Sequence, residues 1–427
     1  MMRTATAIAA VLLLAACTSP TPPGAQESEA LKVTDVTVDE SARLNDWFEV
    51  KFQEMVARSP MTQTYLGIKD NYSQWDDASD AHALGDLELQ RATVAEMKTS
   101  FDYEKLDPQA KLSWRLAEYE LADAEAQFPF RDHEYLFNQM HGVQSGIPAF
   151  LVNQHKVTSL ADAEAYVSRL NGIPEYLGQN VANSRDAAAK GIMPPRFVYD
   201  YVISDSRSII TGYPFTSDVA DGEEDSPLMK DFRGKVGALV EDTTITQDEA
   251  DTLLADAATA LVEKVGPAYE AAIVEMQAQA DVATTDDGVW KLPDADAYYA
   301  MRLKHITTTD MSADEIHNLG LAEVARIQDE MRGIMVKVGF EGALKDFFEF
   351  MRTDPQFFKP NTPEGKAEYL AEATAAIDQM RGDLPMVFKT FPKAELIVKA
   401  VEPFREKSAG KAFYSRPAPD GSRPGTY

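Results

Sequence analysis

Residues 312–338, SADEIHNLGLAEVARIQDEMRGIMVKV, carry the clearest fold signal in the chain. Ser312 and Glu315 have the spacing of a capping box, in which two side chains satisfy backbone N–H groups of the first helical turn. The apolar residues that follow are spaced to lie on one face of an α-helix. These residues are Ile316, Val324, Ile327, Met331, Ile334 and Val338. The stretch therefore predicts an amphipathic helix.

Helical periodicity recurs in residues 41–58, from Asp107 onward, and in residues 247–279 and 364–381. Asp107-Pro108 is a typical helix start, because a proline in the first turn needs no N–H partner. In residues 247–279 the alanine-rich, acidic face is expected to be solvated. The apolar residues predicted to face inward are Leu44, Trp47, Phe48, Phe52, Met55, Val56, Leu112, Leu116, Tyr119, Leu121, Leu370, Ala373, Ile377 and Met380.

Strand-like sequence is confined to the C-terminal region. Residues 395–401 are β-branched and partly alternating, and a short aromatic stretch, 412–414, follows after a break that contains a glycine. Residues 417–425 are then dense in turn formers. The pattern predicts a mainly α fold, a large multihelical body with a small β-sheet beginning near the C-terminus.

The composition limits the classes of function. The chain has 427 residues, with 41 Lys and Arg against 69 Asp and Glu and a formal net charge of −28. Chains of this length can bury a core without disulfide or metal support. An acidic chain lacks the basic face that a phosphate backbone or an anionic membrane requires. The composition therefore argues against nucleic acid as a partner and against a polybasic grip on lipid.

The N-terminus has the pattern of an export signal. Arg3 precedes an apolar run, residues 5–14, that is shorter than the roughly 20 residues of a transmembrane helix. Leu14-Ala-Ala-Cys17 resembles a bacterial lipobox, in which the cysteine is acylated and becomes the first residue after cleavage. The alternative is an ordinary signal peptide with an incidental cysteine. We expect lipidation at Cys17, with the membrane as the partner of the anchor.

Three segments follow from this interpretation. Residues 1–16 are the lipoprotein signal peptide, residues 17–39 are the lipidated cysteine and a Pro-rich tether, and residues 40–427 are the helical domain. Thr18 stands where an aspartate would mark retention in the inner membrane. The expected location is therefore the cell envelope, on the periplasmic face of the outer membrane.

The motifs that carry chemistry are incomplete in this chain. His133-Glu134 begins the His-Glu-x-x-His pattern of zinc peptidases, but position 137 is Phe. Residues 142–146, GVQSG, lack the Gly-x-Ser-x-Gly spacing of a nucleophile elbow. Cys17 is the single cysteine, so neither a disulfide framework nor a cysteine-based zinc site can form. The residues alone assign no catalytic residue and no metal ligand in this chain.

Several segments together nevertheless resemble a known family. The segments are 138–144 (NQMHGVQ), 194–197 (PPRF), 305–326, 347–355 (FFEFMRTDP) and 414–427, with DGSRPG at 420–425. Their combination and order resemble the bacterial family named domain of unknown function 885, over roughly residues 40 to 427. The resemblance implies a zincin-like, gluzincin-type zinc metallopeptidase with a peptide substrate.

The family's zinc motif, His-Glu-x-x-Pro-Gly-His, is expected shortly after the 420–425 turn. The sequence stops at Tyr427, so neither the zinc ligands nor the catalytic glutamate of the family can be placed on it. Zinc is therefore expected for the intact family member and not for this chain. A frameshift, an early stop or a partial gene model would leave such an N-terminal fragment. The alternative is a complete protein that has lost its catalytic part and keeps a binding role.

The resemblance also indicates where a substrate would lie. Zinc peptidases commonly hold substrate along a strand by backbone hydrogen bonds. We expect Tyr414, Arg423 and Tyr427, near the last strand, to line such a cleft, with His141 in a second wall at residues 138–144. Arg423 could instead brace the turn through Asp420, and residues 138–144 could be a packed loop between helices.

Three functions are compatible with the sequence. The chain resembles the N-terminal part of a lipid-anchored zinc peptidase, which we expect to be inactive alone. A helical binding or scaffold lipoprotein, complete as given, is the first alternative. A hydrolase that uses acidic pairs already present is the second.

Overall fold

The computed structural model describes residues 39–217, 224–406, 409–410, 412–419 and 421–427. Cys17 and the predicted signal peptide and tether lie outside these residues, as does most of the acidic stretch 218–225. The predicted mainly helical architecture with a small C-terminal sheet is confirmed. The elements are α1 (Glu40–Val56), α2 (Pro60–Leu66), α3 (Asp80–Ser100), α4 (Pro108–Gln127), α5 (Val143–Asn153), α6 (Leu160–Ala189), α7 (Arg196–Ile209), α8 (Pro227–Glu241), α9 (Gln247–Ala260), α10 (Gly266–Val282), α11 (Ala295–Thr307), α12 (Ala313–Lys337), α13 (Leu344–Thr353), α14 (Pro363–Asp383), β1 (Leu396–Ile397) and β2 (Gly425–Thr426).

The main hydrophobic core lies where α6 packs against α5, α9 and α10. A π-helical turn, Leu261–Val265, joins α9 to α10, so one long helix runs through the region predicted as 247–279. The expectation of a solvated alanine-rich face is wrong in part. Ala250, Ala257 and Ala272 are buried, because small side chains let neighbouring helices approach closely. In the described part of the chain, no helix combines the length and the apolar character needed to cross a membrane.

The capping box at the start of α12 is confirmed, since the Ser312 N–H donates to Glu315 Oε2 at 2.8 Å and Ser312 Oγ accepts from the Glu315 N–H at 3.3 Å. The apolar face of this helix, however, is largely exposed. Val324 and Ile334 each keep about half of their surface in water, and Met335 is the residue of α12 that is buried. Periodicity identified the helix correctly but did not identify a covered face.

The inward face of α4 was predicted incorrectly in part, since of the four predicted residues Leu121 packs against the core. Leu112, Leu116 and Tyr119 are exposed, whereas Ala110 and Trp114 are buried against α1 and α3. Both sets have helical spacing, so α4 carries two apolar stripes and periodicity cannot choose between them. Contacts with the other helices determine which of the two stripes is buried. Phe52, Met55 and Met380, also predicted to face inward, are likewise exposed.

The sheet is shorter than the predicted strand 395–401. Its two strands are parallel, with the Gly425 N–H donating to Glu395 O at 2.8 Å and the Tyr427 N–H donating to Ile397 O at 2.8 Å. The Lys399 N–H then donates to Tyr427 O at 3.0 Å. On its other side β2 forms an antiparallel bridge with Ser415. Strand β1 is therefore the outer strand of the sheet.

Candidate functional site

A cavity of about 990 Å³ opens beside the C-terminal sheet. Helix α5 and Tyr65 of α2 form one wall. Residues 356–361 and the first half of α14 form a second wall, and residues 398–402 with 426–427 form a third. Its volume lies at the upper end of the range of ligand-binding pockets. The cavity is the candidate functional site.

The extended backbone that continues β1, residues 398–400, leaves some hydrogen-bonding groups at this cavity without a partner among the described residues. Alternate residues of a strand direct their N–H and C=O groups to opposite edges, and Ile397 and Lys399 direct theirs toward β2. Val398 and Ala400 therefore direct theirs to the outer edge. Neither residue has a backbone hydrogen bond to any described part of the chain, and both line the cavity. An unpaired strand edge is a template for pairing with another extended segment.

Aromatic side chains cover much of the cavity wall. Phe150 is buried, and its ring packs edge-on against Tyr65 with ring centroids 5.4 Å apart. Phe357, Phe358 and Tyr369 lie on the opposite wall and are each about half exposed. These rings offer apolar area to the side chains of a bound ligand.

The charges of the cavity differ from those of the whole chain. The described residues that line it include five basic and three acidic side chains, although the chain as a whole has a formal net charge of −28. The basic residues are Lys359, Lys366, Lys399, Arg405 and Arg423, and the acidic residues are Glu372, Glu402 and Glu406.

Glu402 is the centre of a polar cluster in the third wall. Its Oε1 accepts a hydrogen bond from Asn153 Nδ2 at 2.6 Å, and its Oε2 lies 2.6 Å from Arg405 Nε. Lys399 Nζ donates to Asn153 Oδ1 and lies 3.8 Å from Glu402 Oε1. Burial alone would raise the pKa of Glu402, but the bond from Asn153 and the pair with Arg405 hold it below its usual value. Glu402 is therefore a carboxylate that links α5 to the strand.

Lys235 secures the end of α5 from behind the cavity. Its Nζ donates to Leu151 O at 2.7 Å and to Asp231 Oδ2 at 2.8 Å, and Asp231 also accepts from the Tyr166 hydroxyl at 2.9 Å. A cation at a helix C-terminus satisfies carbonyls that have no helical partner. Burial lowers the pKa of Lys235 and raises the pKa of Asp231. These contacts hold in place the helix that forms the first wall.

Two of the four predicted cleft residues, Arg423 and Tyr427, line the cavity. Arg423 is buried, and its guanidinium donates to Arg416 O at 2.7 Å and to Tyr65 O at 3.0 Å, which ties the turn to α2. Asp420, the alternative partner of Arg423, lies outside the described residues. Tyr414 does not line the cavity, because its ring packs over Gly425. A Cβ at Gly425 would lie 3.2 Å from this ring, a tight contact that would require the ring to shift.

His141, the fourth predicted residue, lies in a packed turn away from the cavity lining. Asn138 Oδ1 accepts from the backbone N–H groups of Met140 at 2.9 Å and of His141 at 2.7 Å. Gln144 Nε2 donates to Asn138 O at 2.7 Å, and the Tyr269 hydroxyl donates to Gln144 O at 2.8 Å. These bonds close the turn on itself and leave His141 exposed.

Val398, Lys399 and Glu402 were not among the predicted site residues. The strand pattern at 395–401 includes Val398 and Lys399 but does not indicate which edge of the strand stays open, and Glu402 lies outside it. Among the described residues no three His, Cys, Asp or Glu side chains gather closely enough to hold a metal ion. The described donor set therefore does not fit a zinc site.

A bacterial family described as a protein of unknown function, DUF885, matches residues 60–427. The chain belongs to this family. Every described residue that lines the cavity falls within the DUF885 region. A crystal structure described as a lipoprotein of Colwellia psychrerythraea is similar in fold, with a TM-score of 0.76 and 19% sequence identity. The similarity covers 91% of this chain and 67% of that one. No curated protein matches the chain.

Proposed function

We propose that this DUF885 chain binds extended peptides in its cavity by adding them as a strand to β1. This wall would bind the substrate of a zinc-dependent peptidase of zincin-like architecture. A lipid anchor would hold the protein in the bacterial envelope. The outer edge of the extended backbone that continues β1 carries the proposal, because Val398 and Ala400 offer backbone groups that pair with no described residue inside an aromatic-walled cavity. Strand addition takes its affinity from such main-chain bonds and its specificity from pockets for alternate side chains.

The reaction class comes from the family resemblance and not from residues in the described structure. Because the described donor set does not fit zinc, no catalytic step is assigned to these side chains. Their part is to bind and orient the peptide. We therefore expect peptide recovered from this chain to be uncleaved, as mass spectrometry of the bound material would establish.

Peptide binding should depend on alternate backbone N–H groups of the ligand. The probe is a fluorescent hexapeptide of alanine and leucine with one glutamine, and binding is followed by polarisation. N-methylation at every second position should weaken binding roughly tenfold or more, because each methyl group removes a donor to the β1 edge. N-methylation at the intervening positions should have little effect.

The matching test on the protein is the Val398→Pro variant. Proline removes the N–H group that Val398 directs to the outer edge and leaves the hydrogen bonds between β1 and β2 in place. Val398→Ala is the matched control, since it keeps the backbone donor and trims the side chain. We expect the proline variant to bind the hexapeptide about tenfold more weakly than the alanine variant. Equal binding by the two variants, or equal effects of N-methylation at all positions, would contradict strand addition.

The lipid anchor has its own test. Cys17→Ser removes the thiol that is acylated in lipoproteins, whereas Thr18→Ser keeps it. On fractionation of expressing cells, we expect the Cys17→Ser protein to leave the membrane fraction and the control to stay there, because several acyl chains together hold a protein stably. A membrane-bound Cys17→Ser protein would contradict the proposed anchor. Separation of inner and outer membranes would test the proposed outer-membrane location.

A further inference from the structure

Lys399 differs from the other lysines of the cavity. Lys359 Nζ lies 2.6 Å from Glu372, and Lys366 Nζ lies 2.6 Å from Glu406, so each has a carboxylate of its own. Among the described residues, the carboxylate nearest to Lys399 is that of Glu402 at 3.8 Å, and Glu402 already pairs with Arg405 at 2.6 Å. Lys399 also keeps 43% of its side-chain surface exposed.

The surroundings of Lys399 hold an excess of positive charge. Asp231 and Lys235 form one pair at 2.8 Å, and Glu402 and Arg405 form another. Lys399 acts electrostatically on both members of the first pair, which places it near them. Among these five described residues, two acidic and three basic side chains leave a net charge of +1. A partly enclosed positive charge inside an acidic protein attracts an anionic group of a ligand.

Lys399 lies two residues after β1 on the same extended backbone, and this position fixes which part of a ligand it would meet. Its backbone points toward β2, whereas the flanking Val398 and Ala400 offer their backbone to the outer edge. In an antiparallel added strand, the peptide residue opposite Lys399 would form a pair without mutual backbone bonds. Side chains are closest in pairs of this type and lie on the same face of the sheet. The ammonium group of Lys399 would therefore contact the side chain of that single peptide residue.

We propose that the cavity selects peptides that carry a carboxylate side chain, Asp or Glu, at the position opposite Lys399. This inference rests on the proposed peptide-binding function and names the substrate class of the same site. Exposed and half-exposed ion pairs contribute up to about 1 kcal/mol, so the expected preference for Glu over Gln is about three- to fivefold. The preference should shrink as the salt concentration rises.

The experiment compares hexapeptides that differ only by Glu, Gln or Lys, with the substituted position moved along the peptide one residue at a time. The wild-type chain should favour Glu at one position. Lys399→Gln should bind the Glu and Gln peptides equally, and Lys399→Glu should favour the Lys peptide at that same position. Lys345→Gln is the control, because Lys345 is exposed on α13 and does not line the cavity.

The outcomes separate this inference from the proposed function. If all peptides bind alike, or if the preference for Glu survives in Lys399→Gln, the cavity still binds peptides and the selection by Lys399 is wrong. If no peptide binds, whatever the position of the substituted residue, the proposed function itself is wrong, and the inference that depends on it is wrong as well. A reversal of preference in Lys399→Glu is the result that supports direct contact.

Discussion

Replacing Arg169 with methionine is expected to lower the free energy of unfolding by about 3–5 kcal/mol, as measured by chemical denaturation. Arg169 lies on α6 and is completely buried, which is rare for an arginine. Its Nη1 donates to His155 Nδ1 at 2.9 Å, and its Nη2 donates to Thr64 Oγ1 at 2.7 Å. Its Nε donates to Gln74 O at 3.1 Å. Methionine fills similar space but removes the donor to all three acceptors, of which those on His155 and Thr64 are buried.

The ring contacts of Arg169 extend the effect to the cavity. The guanidinium carbon lies 4.9 Å from the ring centre of Phe150 and 5.1 Å from that of Tyr72. Because Phe150 forms part of the cavity wall, losing Arg169 should also weaken peptide binding. Burial lowers the pKa of Arg169 to about 10, which still leaves it charged at neutral pH.

The matched control for this prediction is Arg185→Met on the same helix. Arg185 is exposed and pairs with Glu275 at 2.7 Å, so we expect its loss to cost less than about 1 kcal/mol. Equal destabilisation by the two substitutions would mean that the buried bonds of Arg169 contribute little. Peptide binding by each variant is measured below its unfolding transition, which separates loss of fold from damage to the wall.

Local sequence patterns predicted the elements of this fold better than their packing. The capping box and apolar spacing of α12 and the strand pattern near residue 396 depend on neighbours a few positions apart. Arg423 and Tyr427, by contrast, were placed near the last strand by the family resemblance and not by a local pattern. The face of α4 could not be chosen, since Trp114 and Leu116 lie on stripes of equal spacing. Only the contacts with α1 and α3 distinguish the two stripes.

The pairs that build the site join residues far apart in the chain. Asn153 and Glu402 are separated by 249 positions, and Arg169 and Thr64 by 105. No local pattern identifies such partners, and nothing in the sequence around Glu402 distinguishes it from the many acidic residues expected at the surface. The open edge of β1 is likewise set by the partner on its other side, Tyr427, and not by the residues of the strand itself. These features could be recognised only in the folded chain.

His155 lies beside Arg169 and gives the fold a pH dependence. An arginine N–H can only donate, so His155 Nδ1 accepts from Arg169 and its Nε2–H donates to Asp162 O at 3.0 Å. The ring stacks on Tyr72 and packs edge-on against Tyr166, while Lys235 adds a second nearby positive charge. Burial, assisted by the two cations, lowers the pKa of His155 from 6.5 to about 3. The folded chain therefore keeps this imidazole neutral.

Between pH 6.5 and about 3 the unfolded chain protonates His155 and the folded chain does not, so stability falls as the pH falls. The expected loss is about 2 kcal/mol from pH 7 to pH 5, a range above the usual carboxylate titrations. His155→Gln keeps an acceptor for Arg169 and a donor for Asp162 O but cannot titrate, so its stability should change far less over this range. His317→Gln, on the exposed surface of α12, should retain the dependence of the wild-type chain. Denaturation curves at pH 7, 6 and 5 would contradict the assignment if His155→Gln lost as much stability as the wild-type chain, because the proton would then bind elsewhere.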